Sequence, residues 1–554
     1  MNEQLTDSLD TKQAEAVLDS SGHLLIVAPP GSGKTRVLAA RFRRLVAEAG
    51  PGGVLAVTFT NRAAREMACR VESLFGRGAG PSAGLNITTF HAFCLAFLRE
   101  RLGAFTLYGR AEQVALLREL GVKGPVNAAD RISYLKNVGC EADDESRGLR
   151  EIYNEGLRSA GALDLDDLAL ESIRLLEGEG PEGGLFAHVL VDEYQDINPP
   201  QARLARLLAG TGGKVSAIGD PDQAIYAFRG SDPGCFAGFV RDYPGARTVE
   251  LTRCYRSGAR IVEAASAVMG AGPVRPARGF NPVRPGGVVT VVSSPDARAE
   301  AGYIVGEIER LMGGLSSLTV ESGETGRAGA RELRFSDFAV LARTNATAES
   351  MAGEFARSSV PFQLVGPQAA GVTSFIKRLR GAVVGEGVEV KGFVEQEAVS
   401  LGEEARRVVL DAAASETGAG PGGLASFIER LAVAEPEDRF DITADRVSIM
   451  TMHMTKGLEF DTVFITGAED GLIPLRTASG RFDVEEERRL FYVAMTRARE
   501  RLYVTTARRR RLWGEVSDRG PSPFLADVPE ALIGRVDLSG KTRRRRPVQG
   551  GLFD

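Results

Sequence analysis

The sequence predicts an α/β fold of two doubly wound lobes, each interrupted by a mainly helical insertion. Short β-branched runs alternate with amphipathic helical patterns in two separate series along the chain. Each series is broken by a long segment in which strand patterns are missing. The 554 residues also exceed what one hydrophobic core normally holds, so several packed units are expected.

The first lobe is predicted to comprise residues 1–92 and 188–258. It opens with Leu24–Val27, a wholly apolar run that is typical of a buried parallel strand. A glycine-rich loop follows, and Thr35–Val46 then carries its apolar residues on one helical face. The same alternation predicts five more strands, at Val54–Phe59, Asn86–Phe90, Val189–Val191, Val215–Ile218 and Thr248–Leu251.

Residues 93–187 are predicted to form a helical insertion within the first lobe. Strand patterns stop between Phe93 and Phe186. Helical patterns such as Ala111–Leu120 and Leu165–Leu176 replace them. The two parts of the first lobe are therefore expected to be joined by a mainly helical subdomain.

The second lobe is predicted at residues 259–371 and 445–535, around a short insertion at 372–444 that is rich in Gly, Ala and Glu. Gly313–Arg331 is interpreted as a long flexible loop, and residues 536–554 as a disordered basic tail. The strands of this lobe are predicted at Val288–Val292, Phe338–Leu341, Phe362–Val365, Val447–Met450, Thr462–Ile465 and Leu502–Val504.

Composition excludes some classes of protein without choosing among the rest. No apolar run approaches the roughly 20 residues of a membrane helix, and the polar N-terminus lacks the apolar core of a secretion signal. The five cysteines form no Cys-x-x-Cys pair, which argues against a metal cluster and favours a reducing cytoplasm. The net charge is −5. Because arginines cluster at Arg508–Arg511 and Arg543–Arg546, overall charge neither supports nor excludes a nucleic-acid partner.

The loop after the first strand has the pattern of a phosphate-binding loop, with alanine where the strict pattern begins with glycine. Two glycines let backbone N–H groups turn toward a phosphate, and the N-terminus of the next helix adds positive potential. Lys34 is placed to reach the terminal phosphates, and the Thr35 hydroxyl to bind Mg²⁺. A chance glycine-rich turn is the alternative, which the strand–loop–helix context disfavours. The loop comprises Ala28, Pro29, Pro30, Gly31, Ser32, Gly33, Lys34 and Thr35.

Two carboxylates follow the apolar strand that ends at Val191. In open parallel sheets, ligands bind at the carboxyl ends of the strands. Asp192 is therefore expected to hold Mg²⁺ through water, and Glu193 to polarise the water that attacks ATP. An acidic pair after a strand is usually a solvated turn, but the phosphate loop favours the catalytic interpretation.

Charge that develops on the γ-phosphate at the transition state is commonly neutralised by arginine. Arg256, next to Tyr255, and Arg497, between Thr496 and Ala498, are candidates. Spacing alone does not select them from so many arginines, most of which are expected on the surface.

A series of short motifs runs in order through both lobes. In the first lobe they are Gln13–Val17, the phosphate loop, Thr58–Ala64, Thr89–His91, Val191–Asp196, Gly219–Tyr226 and Phe228–Gly230. In the second they are Tyr255–Ser257, Arg343–Asn345, Met450–Phe460 and Glu487–Ala498. Together, from about Leu5 to Leu525, they resemble the motifs of the UvrD/Rep/PcrA family of superfamily-one DNA helicases. The resemblance implies that both lobes are RecA-like P-loop lobes and that ATP binds in the cleft between them.

The resemblance also assigns roles that composition cannot. For the nucleotide, it implies that Gln13 reads adenine, Arg36 lies near the base and Tyr255 stacks on it. Glu459 is placed near the ribose. The γ-phosphate is assigned to Gln223 as a sensor and to two arginine fingers, Arg256 and Arg497.

For DNA, the resemblance places a set of aromatic and polar side chains along a single strand. Aromatic rings suit this task because every base has a π face, and one stacked base is worth about 1–3 kcal/mol. Core packing is the alternative for the phenylalanines, and a buried hydrogen-bonding role is the alternative for the histidines. The set is Phe59, Asn61, His91, Phe228, Arg229, Arg343 and His453.

The resemblance thus implies an ATP- and Mg²⁺-dependent DNA helicase that moves 3′ to 5′ on single-stranded DNA in repair or replication restart. Its partners would be single strands and single-strand/duplex junctions, and it would act near the nucleoid as a monomer or weak dimer. Two departures matter: the insertion at 372–444 is short, and Phe228 stands where many relatives have tryptophan. A translocase that clears bound proteins with little unwinding is the main alternative.

Two further classes are disfavoured. A helicase–nuclease fusion would need a nuclease motif after Leu525, where only about thirty residues remain. A binding module with an inactive ATPase would need a lesion at Lys34, Glu193 or Arg497, and each of these residues has the expected identity.

The last six residues carry a separate hypothesis. Gln549, Leu552 and Phe553 have the spacing of the short peptide by which bacterial replication and repair proteins dock on the sliding clamp. Two adjacent large apolar residues are unusual in a disordered tail. The alternative is that they fold back onto the second lobe while the neighbouring arginines bind DNA.

Overall fold

The structure is a computed structural model that describes residues 6–75, 84–138, 143–178, 180, 184–270, 281–313, 332–366, 372–382, 388–401, 406, 409–410, 413, 420–432, 444–476, 483–512 and 515–538. The chain divides into two compact units. The first comprises Met1–Tyr255 and Gly366–Asp441, and the second comprises Arg256–Val365 and Ile442–Asp554. The segment that interrupts the second lobe in sequence therefore belongs to the first unit in space.

The first unit is built on a six-stranded, wholly parallel sheet. In chain order the strands of this unit, of which β4 and β5 lie outside the six-stranded sheet, are β1 (Leu24–Val27), β2 (Val54–Thr58), β3 (Asn86–Thr89), β4 (Thr106–Tyr108), β5 (Ala162–Asp164), β6 (His188–Val191), β7 (Lys214–Gly219) and β8 (Arg247–Glu250). The order across the sheet is β3-β2-β6-β7-β1-β8. All residues of β1 and β2 are buried, because helices cover both faces of such a sheet. Two hydrophobic clusters, one on each side, form the core.

The described residues of this part of the first unit form ten helices. They are α1 (Thr11–Leu18), α2 (Lys34–Ala49), α3 (Asn61–Phe75), α4 (Phe90–Leu102), α5 (Arg110–Glu119), α6 (Pro125–Val138), α7 (Asp144–Ser159), α8 (Leu165–Gly178), α9 (Pro199–Ala209) and α10 (Pro233–Asp242). Polar side chains fix several starts: Asp10 and Gln13 form a capping box at α1, and Asn198 with Gln201 does the same at α9.

The first insertion is mainly helical, as predicted, but the expectation that it holds no strand is wrong. The short strands β4 and β5 pair in parallel across the insertion. Three-residue strands carry too little alternation to be recognised in sequence. A buried ion-pair cluster joins α6 to β5 and α8 within this subdomain: the Lys136 Nζ lies 2.7 Å from both Asp164 and Asp167.

The second unit contains a sheet of seven parallel strands with one antiparallel edge strand. In chain order the strands from the unit boundary onward are β9 (Arg253–Gly258), β10 (Asn281–Arg284), β11 (Val288–Asp296), β12 (Phe338–Ala342), β13 (Phe362–Val365), β14 (Val447–Thr451), β15 (Phe460–Ile465), β16 (Ala498–Leu512), β17 (Glu515–Asp518) and β18 (Gly534–Asp537). The order is β13-β14-β12-β15-β16-β11-β18, with β17 antiparallel to β16.

The remaining helices divide between the two units. α11 (Ala259–Gly270), α12 (Ala297–Leu311), α13 (Asn345–Phe355) and α17 (Val484–Met495) belong to the second unit. The second insertion contributes α14 (Val372–Gly381), α15 (Val390–Glu397) and α16 (Gly420–Ala432), which share a hydrophobic cluster of their own. Arg380 of this insertion donates to Glu112 (3.0 Å) and to the Leu107 carbonyl (2.6 Å) of the first insertion. The two insertions are therefore in contact within the first unit.

One detail at the C-terminal end corrects the sequence-based assignment, and a second shows where one arginine cluster lies. The predicted tail, 536–554, includes Val536 and Asp537, which form the end of β18 and pair with Val292 and Ser293. The signal was missed because the pairing partner lies more than 200 residues away in sequence. The cluster Arg508–Arg511 lies within β16, where Arg510 is buried between Glu300 and Glu469.

Three other assignments lie outside the described residues. They are the loop predicted at Gly313–Arg331, apart from Gly313 itself, the tail from residue 539 onward, and the clamp-type peptide Gln549, Leu552 and Phe553. None of the helices in the described ranges combines the length and the apolar character that a membrane span requires.

Candidate nucleotide site and nucleic-acid groove

The phosphate loop is shaped by two glycines with left-handed backbone. Gly31 and Gly33 have φ of +71° and +86°, a conformation that side chains other than glycine rarely adopt. The Ser32 hydroxyl donates to the Pro29 carbonyl at 2.6 Å and closes the turn. Because Gly33 precedes α2 and has no side chain to cap it, the first-turn N–H groups point to where a phosphate would bind.

The candidates for adenine recognition surround this loop. Gln13 is buried, and its Nε2 donates to the Ser32 carbonyl at 2.8 Å. A Cβ added at Gly33 would lie 2.7 Å from the same nitrogen, so this position requires glycine. The Tyr255 N–H donates to the Gly31 carbonyl at 2.8 Å, and its hydroxyl donates to Asp10 at 2.6 Å. Gln13 and Tyr255 therefore both contact or border the loop, whereas Arg36 is exposed on α2.

The acidic strand end lies against the phosphate loop. The Lys34 Nζ is 3.1 Å from the Glu193 Oε2, which joins residues 159 positions apart. Glu193 has a φ of +48° and is the one residue other than glycine with positive φ in the described ranges. Such backbone costs about 1–3 kcal/mol and is concentrated at functional sites. With this backbone conformation, the Glu193 side chain contacts the lysine.

Gln195 and Asp220 connect this carboxylate to the proposed γ-phosphate sensor. The Gln195 Nε2 donates to Glu193 at 2.6 Å, and its Oε1 accepts from the Asp220 N–H at 3.0 Å. Asp220 in turn accepts from the Gln223 Nε2 at 2.8 Å. Burial, together with the charge of Asp222, raises the pKa of Asp220 to about 6, although Lys34 opposes the shift.

Sequence reasoning gave no role to Gln195 or Asp220. Both lie inside the motifs quoted above, but their importance depends on contacts between β6 and β7, which spacing does not reveal. A Cβ at Gly219 would lie 2.2 Å from the Gln195 Oε1, so glycine is needed here for the side chain to reach Glu193.

The residues proposed for Mg²⁺ suit that ion. Thr35 is in the first turn of α2, and Asp192 follows β6 directly. The contact between Lys34 and Glu193 shows that these two segments meet. Hydroxyl and carboxylate oxygens are the ligands that Mg²⁺ prefers, usually with several waters retained.

In the second unit, Arg256 and Glu459 form one ion-paired cluster. The Arg256 Nε donates to Glu459 at 2.5 Å, and its Nη1 donates to the Thr496 carbonyl at 3.3 Å. Arg499 also pairs with Glu459. Burial alone would raise the pKa of Glu459, but Arg256 and Arg499 outweigh it and lower the pKa to about 2. Glu459 is therefore ionised at any physiological pH.

Arg497 is among the largest fully buried side chains of the described chain. Its Nε donates to the Val493 carbonyl at 2.9 Å, and its Nη1 donates to the Leu458 carbonyl at 3.3 Å. Arg497 comes two residues after the end of α17 at Met495, so the helix fixes the position of the Arg497 backbone. These contacts give Arg497 a local structural role in addition to any role toward the nucleotide.

Four of the residues proposed for DNA line one groove of about 640 Å³ in the first unit: Phe59, His91, Phe228 and Arg229. Phe59 stacks on Tyr226 with ring centroids 5.1 Å apart and an interplanar angle of 17°. Phe228 is 59% exposed, which rules out core packing for this residue. The Arg229 guanidinium lies 5.2 Å from the Tyr226 ring centroid and 5.8 Å from that of Phe228. Together these groups offer aromatic faces and a positive charge to a nucleic-acid strand.

Other residues that line the groove were not predicted. They come from the first insertion: Arg110 from α5, Asp130, Ser133, Tyr134 and Asn137 from α6, and Asp166 from α8. Sequence reasoning missed these residues because they lie outside the recognised motifs. An exposed aromatic, Tyr134, within an otherwise polar helix face was the available signal.

The other three residues proposed for DNA lie elsewhere. Asn61 begins α3. His453 lies in a short 3₁₀ segment after β14, in the second unit. Arg343 follows β12 and is held by Glu487 of α17: its Nε lies 3.0 Å from each carboxylate oxygen, and its Nη2 donates at 2.5 Å. Glu487, which also accepts from the Leu475 N–H at 2.9 Å, begins the last motif, but sequence reasoning gave it no role.

A phosphate loop in contact with a paired acidic strand end, beside an aromatic groove in the same unit, defines a nucleotide-hydrolysing enzyme that acts on nucleic acid. The comparisons with known proteins agree. The model of the UvrD/REP helicase N-terminal domain matches residues 9–136 and 129–244, and that of the UvrD-like helicase C-terminal domain matches residues 249–377 and 396–509.

Curated relatives match over nearly the whole chain. The ATP-dependent DNA helicase UvrD1 of Mycobacterium leprae is 30% identical over 96% of this chain and 86% of its own length. The ATP-dependent DNA helicase PcrA of Staphylococcus epidermidis is 30% identical, with 98% and 90% covered. The same protein of Staphylococcus aureus is 30% identical, with 98% and 89% covered. This chain belongs to the UvrD-like helicases, and it is an ATP-hydrolysing DNA helicase with two RecA-like lobes.

Proposed function

We propose that this helicase moves along single-stranded DNA, 3′ to 5′, and that it serves DNA repair or replication restart. The groove that contains Phe59, Phe228 and Arg229 carries this proposal. Its exposed aromatic face suits single-stranded DNA, because the π faces of the bases are accessible for stacking there. In a duplex the same faces are covered by neighbouring bases. The direction and the cellular role come from the family resemblance, and single-strand/duplex junctions are the expected substrates.

Mg²⁺ is proposed as the cofactor that accompanies ATP. Thr35 and Asp192 would hold it, and it would neutralise charge on the phosphates. The chain's own residues divide the remaining work. Lys34 binds the terminal phosphates, Glu193 accepts a proton from the attacking water, and Gln223 responds to the γ-phosphate. Gln195 orients Glu193 through its 2.6 Å hydrogen bond.

ATP hydrolysis is expected to depend on single-stranded DNA, because the groove and the catalytic carboxylate lie in the same unit. Steady-state ATPase should rise sharply when an oligonucleotide is added. The oligonucleotide affinity should fall with salt at a log–log slope of about −0.7 per phosphate contact. The matched comparison is Phe228→Ala against Phe93→Ala, since Phe93 is a partly buried core residue outside the groove. Equal ATPase rates of the wild-type protein with and without oligonucleotide would contradict the proposal.

The second candidate function is that of a translocase that removes bound proteins but unwinds duplex weakly. The short second insertion, residues 372–444, favours it, because a short insertion leaves little of the chain to contact duplex. We expect fast movement on single strands and weak unwinding by the monomer. A strand-displacement assay with 3′-tailed and 5′-tailed duplexes measures polarity and unwinding together. Efficient single-turnover unwinding of a long 3′-tailed duplex at limiting protein would refute weak unwinding, and a preference for 5′ tails would refute the proposed polarity.

A further inference from the structure

Both the nitrogen and the oxygen of the Asn137 side-chain amide make hydrogen bonds. Near the end of α6, its Nδ2 donates to the Asp166 Oδ1 of α8 at 2.8 Å. Its Oδ1 accepts from the Asn198 Nδ2 at 2.8 Å. Asn198 caps α9 by accepting from the Gln201 N–H at 2.9 Å. The amide of Asn137 therefore connects the first insertion to the segment that follows the catalytic strand end.

The same residue supports the loop that carries the groove aromatics. Gly230, with a φ of +84°, follows Phe228 and Arg229 directly. A Cβ at Gly230 would lie 2.7 Å from the Asn137 Cβ, so the loop packs closely against Asn137. Farther along, the Asp232 N–H donates to the Ile197 carbonyl at 3.2 Å. The loop is thus in contact with α6 and with the chain just before Asn198.

The end of α6 is held firmly in place. The neighbouring Lys136 is 2% exposed and is paired with Asp164 and Asp167, each at 2.7 Å. Removing one partner of such a buried pair is strongly destabilising, so the pair resists displacement. Asn137 is therefore a fixed support, against which the loop of Phe228 and the segment of Asn198 are both positioned.

The segment of Asn198 leads back to the nucleotide site within a few residues. Gln195, three positions before Asn198, donates to the Glu193 carboxylate at 2.6 Å and accepts from the Asp220 N–H. A shift of Asn198 along the chain would alter the position of Gln195, and with it the orientation of Glu193. A contiguous set of contacts thus extends from the exposed Phe228 to the catalytic carboxylate.

We propose that Asn137 is a positioning residue that couples occupancy of the groove at Phe228 to ATP turnover at Glu193. It acts through Asn198 and not by contact with the nucleotide. The proposal rests on the proposed function, because it requires single-stranded DNA to stimulate hydrolysis. Networks of this kind change coupling between sites by about 2- to 30-fold when one member is removed.

The test measures ATPase across a titration of single-stranded oligonucleotide with the full chain. Asn137→Ala should lower the DNA-saturated kcat about tenfold, while the oligonucleotide concentration for half-maximal stimulation stays within about threefold. Asn127→Ala is the matched control, since Asn127 is exposed on the same helix and makes the same change in helix propensity. It should behave as the wild type.

Asn198→Ser gives an independent measurement should Asn137→Ala fold poorly. Serine keeps a cap for α9 but is too short to reach Asn137. It should show the same loss of kcat, and the double variant should be no more than about twofold below the lower single variant. Full stimulation in folded single variants would overturn the proposal. So would a tenfold weaker oligonucleotide affinity at unchanged kcat, which would make Asn137 a direct DNA contact. A wild-type protein without DNA stimulation would instead refute the proposed function, and this inference with it.

Discussion

Glu193→Gln should reduce ATP turnover about 10³-fold or more, with nucleotide binding retained. Glutamine keeps the size of the side chain but cannot accept a proton from the attacking water, and a positioned base contributes about 10²- to 10⁴-fold. Lys34→Ala should remove turnover as well, but it should also weaken nucleotide binding, because the proposed role of Lys34 is to bind the phosphates already in the ground state. Steady-state ATPase and fluorescent-nucleotide titration together distinguish the two variants.

The control is Glu48→Gln, which makes the same change at the other end of α2, where Glu48 is half exposed and pairs with Arg44. It should keep wild-type turnover, since Glu48 is half exposed and lies at the end of α2 opposite the phosphate loop. If Glu193→Gln retains turnover within tenfold of the wild type, then Glu193 is not the base. Its ion pair with Lys34 would then be structural.

Arg497→Ala should lower kcat about 10³-fold and leave nucleotide affinity within about tenfold. The reason is that an arginine finger acts on charge that is present only at the transition state. The competing explanation is a structural role for Arg497. Its guanidinium is buried and also donates to the carbonyls of Val493 and Leu458. A purely structural residue would lower thermal stability and nucleotide binding together with turnover.

Two further variants separate these explanations. Arg497→Lys keeps the charge but loses the fork of donors, so a finger should lose much of its activity in a folded protein. Arg501→Ala removes an arginine from the following strand, where it pairs with Asp461 at 3.0 Å, and it should leave kcat unchanged. If Arg497→Ala lowers nucleotide affinity by as large a factor as it lowers kcat, then Arg497 is structural or a ground-state ligand.

Much of the first lobe was predictable because its strands are short, apolar and separated by clear turns. Each of the six predicted strands is present, with ends within one residue of the prediction. The predicted strand Leu502–Val504 is much longer in the structure, Ala498–Leu512. Its charged half, Arg508–Arg511, has no apolar alternation, so pairing with β11 and β17, and not local pattern, defines it.

Site residues inside motifs could be named from the sequence, but their partners could not. The phosphate loop and Glu193 follow from local spacing. The contacts Gln195–Asp220, Arg343–Glu487 and Asn137–Asn198 do not, because each depends on how elements that are distant in sequence meet. The second insertion shows the same limit at a larger scale. Its sequence position lies inside the second lobe, whereas its contacts with Glu112 and Leu107 place it with the first unit.

The left-handed backbone of Glu193 sets stability against activity at a single position. A residue with a Cβ is held there at a cost of about 1–3 kcal/mol, which glycine would largely avoid. With Glu193 as the proposed base, a glycine at this position would give a more stable but inactive protein. Random mutagenesis that is screened only for solubility or thermal stability would enrich substitutions that relieve the backbone strain at residue 193. Such substitutions would also remove the proposed base. Engineering a more stable form of this helicase consequently requires selection for ATP turnover at every round.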